Sequence, residues 1–192
     1  GYNQKEIPLR WKDLAKKEIL KIVRRPSGGS AVLHAGGLTY SLIWKSPPRK
    51  KRTSYKQASE WLLKSYSTMG LPLKFGNQTS NALSKHCFAT SSSADLIDGN
   101  GVKRIGSAQL WRKNHLLQHG EILLDPPKEV WEEVFQVPSP PPTSKRIPRT
   151  GLDKVLTKTF KECWQNINWE QKSFTDKELL DLKQSYSQDL YS

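Results

Sequence analysis

The spacing of apolar residues along the chain predicts one helix followed by several short strands. Apolar side chains recur every three or four positions over residues 8–20, which is the spacing of a helix with one buried face. Compact apolar runs at 21–24, 31–33 and 38–44 predict strands. The segment 46–54 is rich in proline and cations, and it predicts an exposed loop.

The middle of the chain continues this mixture of helix and strand. Helical spacing over 54–70 predicts an amphipathic helix that is capped by its final glycine. The tetrapeptide Asp-Gly-Asn-Gly at 98–101 is typical of a hairpin turn, and it predicts strands over 94–97 and 102–109. A later apolar run predicts another strand over 121–125.

The last third of the chain has the composition of a linker and two helices. Apolar spacing from 152 to 167 predicts the first helix, and Thr175 with Glu178 has the pattern of a capping box that starts the second. Together the elements predict an α/β (α+β) fold, a mixed β-sheet flanked by helices. The expected organisation has three parts: a main domain over 1–138, a Pro-rich linker over 139–151 and C-terminal helices over 152–192 that pack on the same domain.

The composition adds a strong positive charge to this picture. The 192 residues carry 31 Lys+Arg against 18 Asp+Glu, which gives a net charge of +13. A charge of this size suits nucleic acid, an acidic protein partner or simply a solvated basic surface, and the charge alone does not separate the three. We expect a soluble, intracellular protein, since the sequence shows no membrane-length apolar stretch, no signal peptide and only two cysteines.

The segment Arg-Arg-Pro-Ser-Gly-Gly-Ser at 24–30 is the first candidate for chemistry. Its paired glycines allow backbone amides to approach a ligand closely, and Arg24 and Arg25 could bind a carboxylate, phosphate or carbonyl. The segment matches neither the P-loop nor the dinucleotide-binding fingerprint. Taken alone, it is better explained as a tight turn flanked by surface arginines.

Cys87 and Lys103 are the second candidate for chemistry. Cys87 lies outside any periodic apolar stripe, and a cation such as Lys103 would favour its nucleophilic thiolate, although a buried structural cysteine explains the local sequence better. Cys163 falls on the apolar face of a predicted helix, which indicates a core residue. His115 and His119 lack a supporting Cys-x-x-Cys pair, so we expect no metal site.

The three stretches RRPSGGSAVLH…LTYS, CF…VKRIGSAQ and LLQHGEILL resemble, in order and spacing, the lipoate-protein ligase A and octanoyltransferase family. The resemblance covers nearly the whole chain. It implies the biotin/lipoate protein ligase catalytic fold, which is class II aminoacyl-tRNA synthetase-like, and the attachment of octanoyl or lipoyl groups to a lysine of a lipoyl-carrier domain. Residues 1–4, GYNQ, resemble the end of the family's first conserved block, so the opening elements are expected to be missing from domain 1–138.

The same resemblance assigns roles to individual residues. It implies that Cys87 is the thioester-forming cysteine of the octanoyltransferase branch and that Lys103 holds the acyl carbonyl or acyl phosphate. His34 is implied to lie near the acyl group, and Gln118, His119 and Gly120 match the motif that follows the pocket strand. The remaining substrate-binding residues implied by the resemblance are Arg24, Arg25, Ser27, Gly28 and Gly29 in the loop and Gly106, Ser107 and Ala108 in the pocket strand.

The resemblance therefore implies a cytoplasmic acyltransferase of protein lipoylation. It would move octanoyl from acyl carrier protein to a lipoyl-carrier domain through a Cys87 thioester, without a cofactor, a membrane or nucleic acid. An ATP-dependent lipoate-protein ligase, which would need ATP and Mg, is the alternative on the same fold. A non-catalytic module that binds nucleic acid or a carrier protein is the second alternative, and it depends mainly on the charge.

Overall fold

The computed structural model of the chain describes residues 1–76 and 95–188, and it confirms an α+β fold in which helices flank a sheet. Within these residues the chain forms the following elements: α1 (Leu9–Lys16), β1 (Leu38–Lys45), α2 (Lys51–Thr68), β2 (Lys74–Phe75), β3 (Leu96–Ile97), β4 (Lys103–Arg112), β5 (His115–Ile122), α3 (Lys128–Phe135), α4 (Leu152–Cys163) and α5 (Asp176–Gln188).

The sheet has the order β1-β5-β4-β3-β2, and each neighbouring pair in it is antiparallel. The predicted hairpin at 98–101 is confirmed, because the Asp98 amide donates to the Val102 carbonyl at 3.0 Å and Gly101 has φ +79°. Side chains alternate across a strand, so His119 and Gln118 of β5 face opposite sides of the sheet. This alternation decides which residues reach the candidate site.

One face of the sheet is covered by α2 and α4. Trp61, Leu62 and Tyr66 of α2 pack on Ile105 and Ile122 of the two central strands. The two helices are also joined by a hydrogen bond between the Ser65 and Thr159 hydroxyls. Burying this apolar surface anchors the strands that carry the site.

A second apolar cluster joins α1 and α3 beyond the end of β5. Trp11 and Leu14 pack with Trp131 and Phe135. The Trp11 indole also donates to the Val134 carbonyl at 2.7 Å, which satisfies a buried donor. This cluster holds the segment that leads into the 24–34 loop.

Two predicted strands, 21–24 and 31–33, are wrong. Both stretches are irregular apart from a single bridge at Ala31. Ile22, Ala31 and Leu33 pack against the second cluster rather than lying in a strand, and Val23 is exposed. The predicted loop over 46–54 ends early, since α2 begins at Lys51 and the buried Ser54 hydroxyl donates to the Pro48 carbonyl at 2.6 Å.

Two further differences concern element bounds. The strand predicted over 121–125 is the end of β5, which begins six residues earlier at His115. The helix α3 has no counterpart among the predicted elements.

The capping box is confirmed, since the Thr175 amide donates to Glu178 at 2.8 Å and the Glu178 amide donates to the Thr175 hydroxyl at 3.2 Å.

Residues 139–151 form no helix or strand, but they are attached to the sheet. Arg104 donates to the Pro141 carbonyl at 2.6 Å and to the Pro142 carbonyl at 3.2 Å. Ile147 is buried in the main core. The following helix α4 packs on α2, whereas the described side chains of α5 over 176–184 are exposed.

Candidate functional site

The 24–34 loop lies over the face of β5 that points away from α2. Its Ser27 is only 1% exposed, and the Ser27 hydroxyl lies 2.6 Å from Nε2 of His119. Ala108 of β4 is directly opposite His119 in the sheet. The structure thus brings together three of the residues that the sequence assigned to substrate binding.

The two arginines of the loop bind backbone carbonyls. Arg25 donates to the carbonyls of Gly28 and Ser30, each at 2.9 Å, and so closes the loop on itself. Arg24 donates to the Gln4 carbonyl at 2.8 Å and to the Tyr2 carbonyl at 3.2 Å, which ties the first residues of the chain to the loop. Both side chains therefore shape the loop, and a direct contact with substrate stays a prediction.

The glycine pair leaves space at the centre of the loop. A Cβ added to Gly28 would meet no atom within 4 Å, so the backbone there borders open space. Gly29 has φ +96°, a conformation that favours glycine. The loop therefore presents accessible backbone without side chains, which is the property expected where a ligand approaches closely.

His34, at the end of the loop, binds a buried carboxylate. Its Nδ1 lies 2.7 Å from Glu121 Oε2 and 2.9 Å from the Thr39 hydroxyl, which in turn donates to Glu121 at 2.8 Å. Glu121 is 2% exposed and sits opposite Gly106 in β4. The carboxylate fixes the orientation of the half-exposed imidazole.

His119 is held in its neutral form more strongly than an exposed histidine. Burial lowers its pKa, and the nearby Arg25 and His34 lower it further. A neutral imidazole can accept a proton or a hydrogen bond, as its contact with Ser27 requires when the hydroxyl donates. The side chain is therefore suited to a role as acceptor beside the open loop.

Gln118 of β5, Tyr40 of β1 and Ser107 of β4 lie on the other face of the sheet, which is covered by α2. The Gln118 amide nitrogen lies 3.1 Å from the Tyr40 hydroxyl and 3.3 Å from the Ala58 carbonyl, and Tyr40 also contacts the Ser107 hydroxyl at 2.6 Å. Burial raises the pKa of Tyr40 to about 12, so this phenol stays protonated. A Cβ at Gly120 would lie 2.2 Å from the Gly106 carbonyl oxygen, so that position requires glycine.

Lys103 is a buried cation at the start of β4. Its Nζ lies 2.9 Å from Asp95 Oδ1, and the two side chains are 3% and 6% exposed. The other proposed catalytic residue, Cys87, lies outside the described residues. The position of its thiol relative to Lys103 stays a prediction.

Neither Cys163 nor a cluster of metal ligands forms a second candidate site in the described part of the chain. Burial raises the pKa of the Cys163 thiol, and Cys163 packs against the main core, as the sequence predicted. No group of three His, Cys, Asp or Glu side chains within 1–76 and 95–188 is placed to hold a metal ion. His115 and His119 are four residues apart on one strand, which separates them by about 13 Å.

Sequence reasoning missed two acidic residues of the site. Glu121 occupies a strand position that alternation places on the same face as His119, and an acid in the apolar run Gly-Glu-Ile-Leu-Leu was the available signal. Asp95 carried no such signal, because its partner is eight residues away across a hairpin. Both carboxylates hold cationic or polar side chains that the sequence had already singled out.

Comparison with known proteins relates this geometry to one family. Residues 1–172 match the family model of the lipoyl protein ligase A/B catalytic domain. The octanoyltransferase LipM of Oceanobacillus iheyensis is 34% identical over 65% of this chain and 47% of its own length. The octanoyltransferase LipM of Halalkalibacterium halodurans is 31% identical over 94% of this chain and 75% of its own length. The chain thus spans about half of the first relative and three quarters of the second.

Solved structures show the same fold. A lipoate-protein ligase A bound with ATP has a TM-score of 0.76 and 22% identity, covering all of this chain and 76% of its own. A bi-partite lipoate protein ligase of Thermoplasma acidophilum, described with its E2 lipoyl domain, has a TM-score of 0.64 and 20% identity. It covers 94% of this chain and 72% of its own.

Proposed function

The chain belongs to the lipoyl protein ligase A/B catalytic-domain family, and on that premise we propose that it transfers octanoyl groups in protein lipoylation. The donor in this proposal is octanoyl bound to acyl carrier protein, and the acceptor is a lysine of a lipoyl-carrier domain. The observation that carries the proposal is the 31–34% identity to proteins named as octanoyltransferases, combined with a buried cation at the position of the family's lysine.

The first step of the proposed reaction loads the enzyme. The Cys87 thiolate attacks the carbonyl carbon of the octanoyl thioester, and the carrier's sulfur leaves with the proton that Cys87 gave up. A cation beside a thiol lowers the pKa of that thiol, and Lys103, held by Asp95, supplies such a charge. Backbone amides near Gly28, Gly29 or Gly106 would stabilise the oxyanion of the tetrahedral intermediate.

The second step releases the product. The neutral amine of the acceptor lysine attacks the acyl-enzyme carbonyl, an amide bond forms, and the Cys87 sulfur leaves with the excess proton. The 24–34 loop would cover the acyl chain, with Ser27 and His119 on one side and the open backbone of Gly28 on the other. Neither step consumes ATP or requires a metal ion, because the thioester supplies the activated acyl group.

An ATP-dependent lipoate-protein ligase is the second candidate function. It is favoured by the fold shared with a ligase that binds ATP. In that reaction Lys103 would hold an acyl-adenylate, and Cys87 would have no covalent role.

A transfer assay separates the two functions. The protein is incubated with a lipoyl domain and either octanoyl-acyl carrier protein without ATP or lipoate with ATP and Mg, and the mass of the lipoyl domain is measured. The proposal expects an octanoyl gain in the first mixture only. Modification only in the second mixture identifies a ligase, and binding of nucleic acid with a steep salt dependence but no modification supports the non-catalytic alternative.

The proposed setting of the reaction is the cytoplasm. The helices within 1–76 and 95–188 include none with the length and apolar character needed to span a membrane. The proposal involves no membrane partner.

A further inference from the structure

Positive charge is concentrated at the end of the sheet where β1 stops and the β4–β5 hairpin turns. Segments 38–59 and 105–120 meet there, and neither contains an aspartate or glutamate. We call this surface the basic end. Its members are all exposed: Lys45, Arg49, Lys50, Lys51, Arg52, Lys56, Arg112 and Lys113.

The sheet register holds these residues together. Lys45 of β1 is paired with His115 of β5, which is paired in turn with Arg112 of β4. The Ser46 amide donates to the Asn114 carbonyl at 2.8 Å, and the Asn114 side chain donates to the Ser46 hydroxyl at 2.7 Å. The hairpin turn and the start of the 46–50 loop therefore form one surface.

The charges of the basic end oppose the stability of the helix that follows. Lys50 is the N-cap of α2, and Lys51 and Arg52 begin its first turn, which contains no acidic residue. The N-terminus of a helix carries a partial positive charge, so cations there are unfavourable. None of the eight cations forms an ion pair with another residue of the described chain, whereas Lys64 at mid-helix binds Glu162 at 2.7 Å.

An exposed apolar side chain lies beside this charge. Ile43 is 76% exposed and is on the same face of β1 as Lys45, two residues away. Protein interfaces combine an apolar centre with a charged rim. Single-stranded nucleic acid is instead bound by exposed aromatic rings, and the most exposed large aromatics in the described chain, Tyr2 and Phe174, lie in other segments.

We propose that the basic end docks the carboxylate-bearing face of the lipoyl domain that receives the acyl group. This inference rests on the proposed function and names the surface for its acceptor. His115 at the basic end is four strand residues from His119, a distance of about 13 Å. Lys103 lies at the opposite end of β4, nine strand residues or about 30 Å from Arg112. A lipoyl domain docked on the basic end therefore has to extend along the sheet, past the 24–34 loop, to bring its acceptor lysine to the Cys87 thioester.

Two matched variants test the docking surface. One carries Lys50→Gln, Lys51→Gln, Arg52→Gln and Arg112→Gln, and the control carries Lys12→Gln, Lys16→Gln, Lys17→Gln and Lys154→Gln, which are exposed cations elsewhere. Both remove four positive charges. The measurements are the Kd for a lipoyl domain by titration and kcat/KM for its octanoylation, each at low and high salt.

The basic-end variant is expected to weaken lipoyl-domain binding and lower kcat/KM by about tenfold at low salt, with a smaller effect at high salt. The control variant is expected to remain within about twofold of the wild type. Octanoylation of a short lysine peptide, which has no folded acidic face, is expected to be equal in all three proteins. A lipoyl domain with surface carboxylates changed to amides is expected to erase the difference between them.

Other outcomes overturn the proposal. Equal losses in both variants would show a general charge effect, and a loss confined to the KM for octanoyl-acyl carrier protein would assign the basic end to the donor. Unchanged lipoyl-domain binding with lost affinity for a short DNA duplex would assign it to nucleic acid. If the wild type transfers no octanoyl group, the proposed function fails, while the Kd comparison still decides the docking surface.

Discussion

Two groups of cations in this chain differ in almost every physical respect. Lys103 and Arg104 at the start of β4 are buried, and each binds a carboxylate, Asp95 at 2.9 Å and Asp98 at 2.7 Å. The eight cations of the basic end are exposed and have no carboxylate partner among the described residues. Buried ion pairs hold the first group in place, whereas the second group faces solvent.

Under the two proposals, the cations behind the net charge of +13 would serve two purposes, catalysis and docking. A buried ion pair costs desolvation, so its net contribution to stability is small, whereas removal of one partner is strongly destabilising. Exposed cations contribute little to stability, but their summed field speeds the arrival of an acidic partner. The proposed function assigns chemistry to Lys103, and the proposed docking assigns association to the basic end.

The largest expected effect comes from Lys103→Met. The substitution removes the cation that lies 2.9 Å from the buried Asp95 carboxylate, so we expect a loss of about 3 kcal/mol in the free energy of unfolding. The rate of octanoyl transfer should fall by about 100-fold or more. Urea unfolding and a transfer assay on the folded fraction measure the two effects.

The double variant Lys103→Met with Asp95→Asn separates stability from chemistry. Replacing both charges should restore much of the lost unfolding free energy, because the buried carboxylate is removed together with the cation. The rate should stay at the level of the single variant. Recovery of the rate together with stability would mean that Lys103 acts only in folding.

Arg104, next to Lys103, is expected to contribute to stability and not to the transfer rate. Arg104→Leu removes the bond to Asp98 and the two bonds to the Pro141 and Pro142 carbonyls, so we expect a loss of about 2 kcal/mol. Protease cleavage within 139–151 should become faster. The transfer rate per folded molecule should change by less than about twofold, and a larger loss would contradict the division between the two buried cations.

A substitution at the basic end should raise the free energy of unfolding, whereas the substitutions of Lys103 and Arg104 lower it. Lys51→Glu places a carboxylate in the first turn of α2 and removes a cation from it, so unfolding free energy should rise by about 0.5 kcal/mol. Lipoyl-domain binding should weaken at the same time. Thermal melting and titration measure both, and a stabilised protein with unchanged binding would contradict the proposed role of the charge.

The smallest effect concerns the pH dependence of stability. The folded chain lowers the pKa of His119, so below its ordinary value of 6.5 the unfolded chain binds a proton that the folded chain does not. Stability should therefore fall as pH drops from about 6.5 towards the lowered pKa. His119→Asn should flatten this dependence in urea unfolding at about pH 7.5 and about pH 5.5, whereas the exposed control His115→Asn should not.

Local sequence patterns predicted the elements that are formed by contacts between residues close in sequence. The hairpin at 98–101, the capping box at Thr175 and the helix α2 follow from glycine placement, side-chain capping and helical spacing. The loop residues Ser27 and His34 and the strand residue His119 came from the resemblance to a family. Their spatial grouping at the sheet agrees with that resemblance.

Long-range contacts account for what the sequence did not reveal. The apolar runs at 21–24 and 31–33 have strand-like composition, but Ile22, Ala31 and Leu33 pack against the cluster of α1 and α3 without forming a ladder. The pairings of Lys103 with Asp95 and of His34 with Glu121 depend on how the strands are placed in the sheet. A single sequence carries no direct signal for such pairings.

The central claim is that Cys87 carries the octanoyl group between donor and acceptor. The most direct measurement is the intact mass and peptide map of the protein after mixing with octanoyl-acyl carrier protein, without ATP and without a lipoyl domain. The account predicts a gain of one octanoyl group on the Cys87 peptide, absent in Cys87→Ser, retained in Cys163→Ser and discharged when a lipoyl domain is added. Octanoyl transfer that proceeds equally well in Cys87→Ser would contradict it.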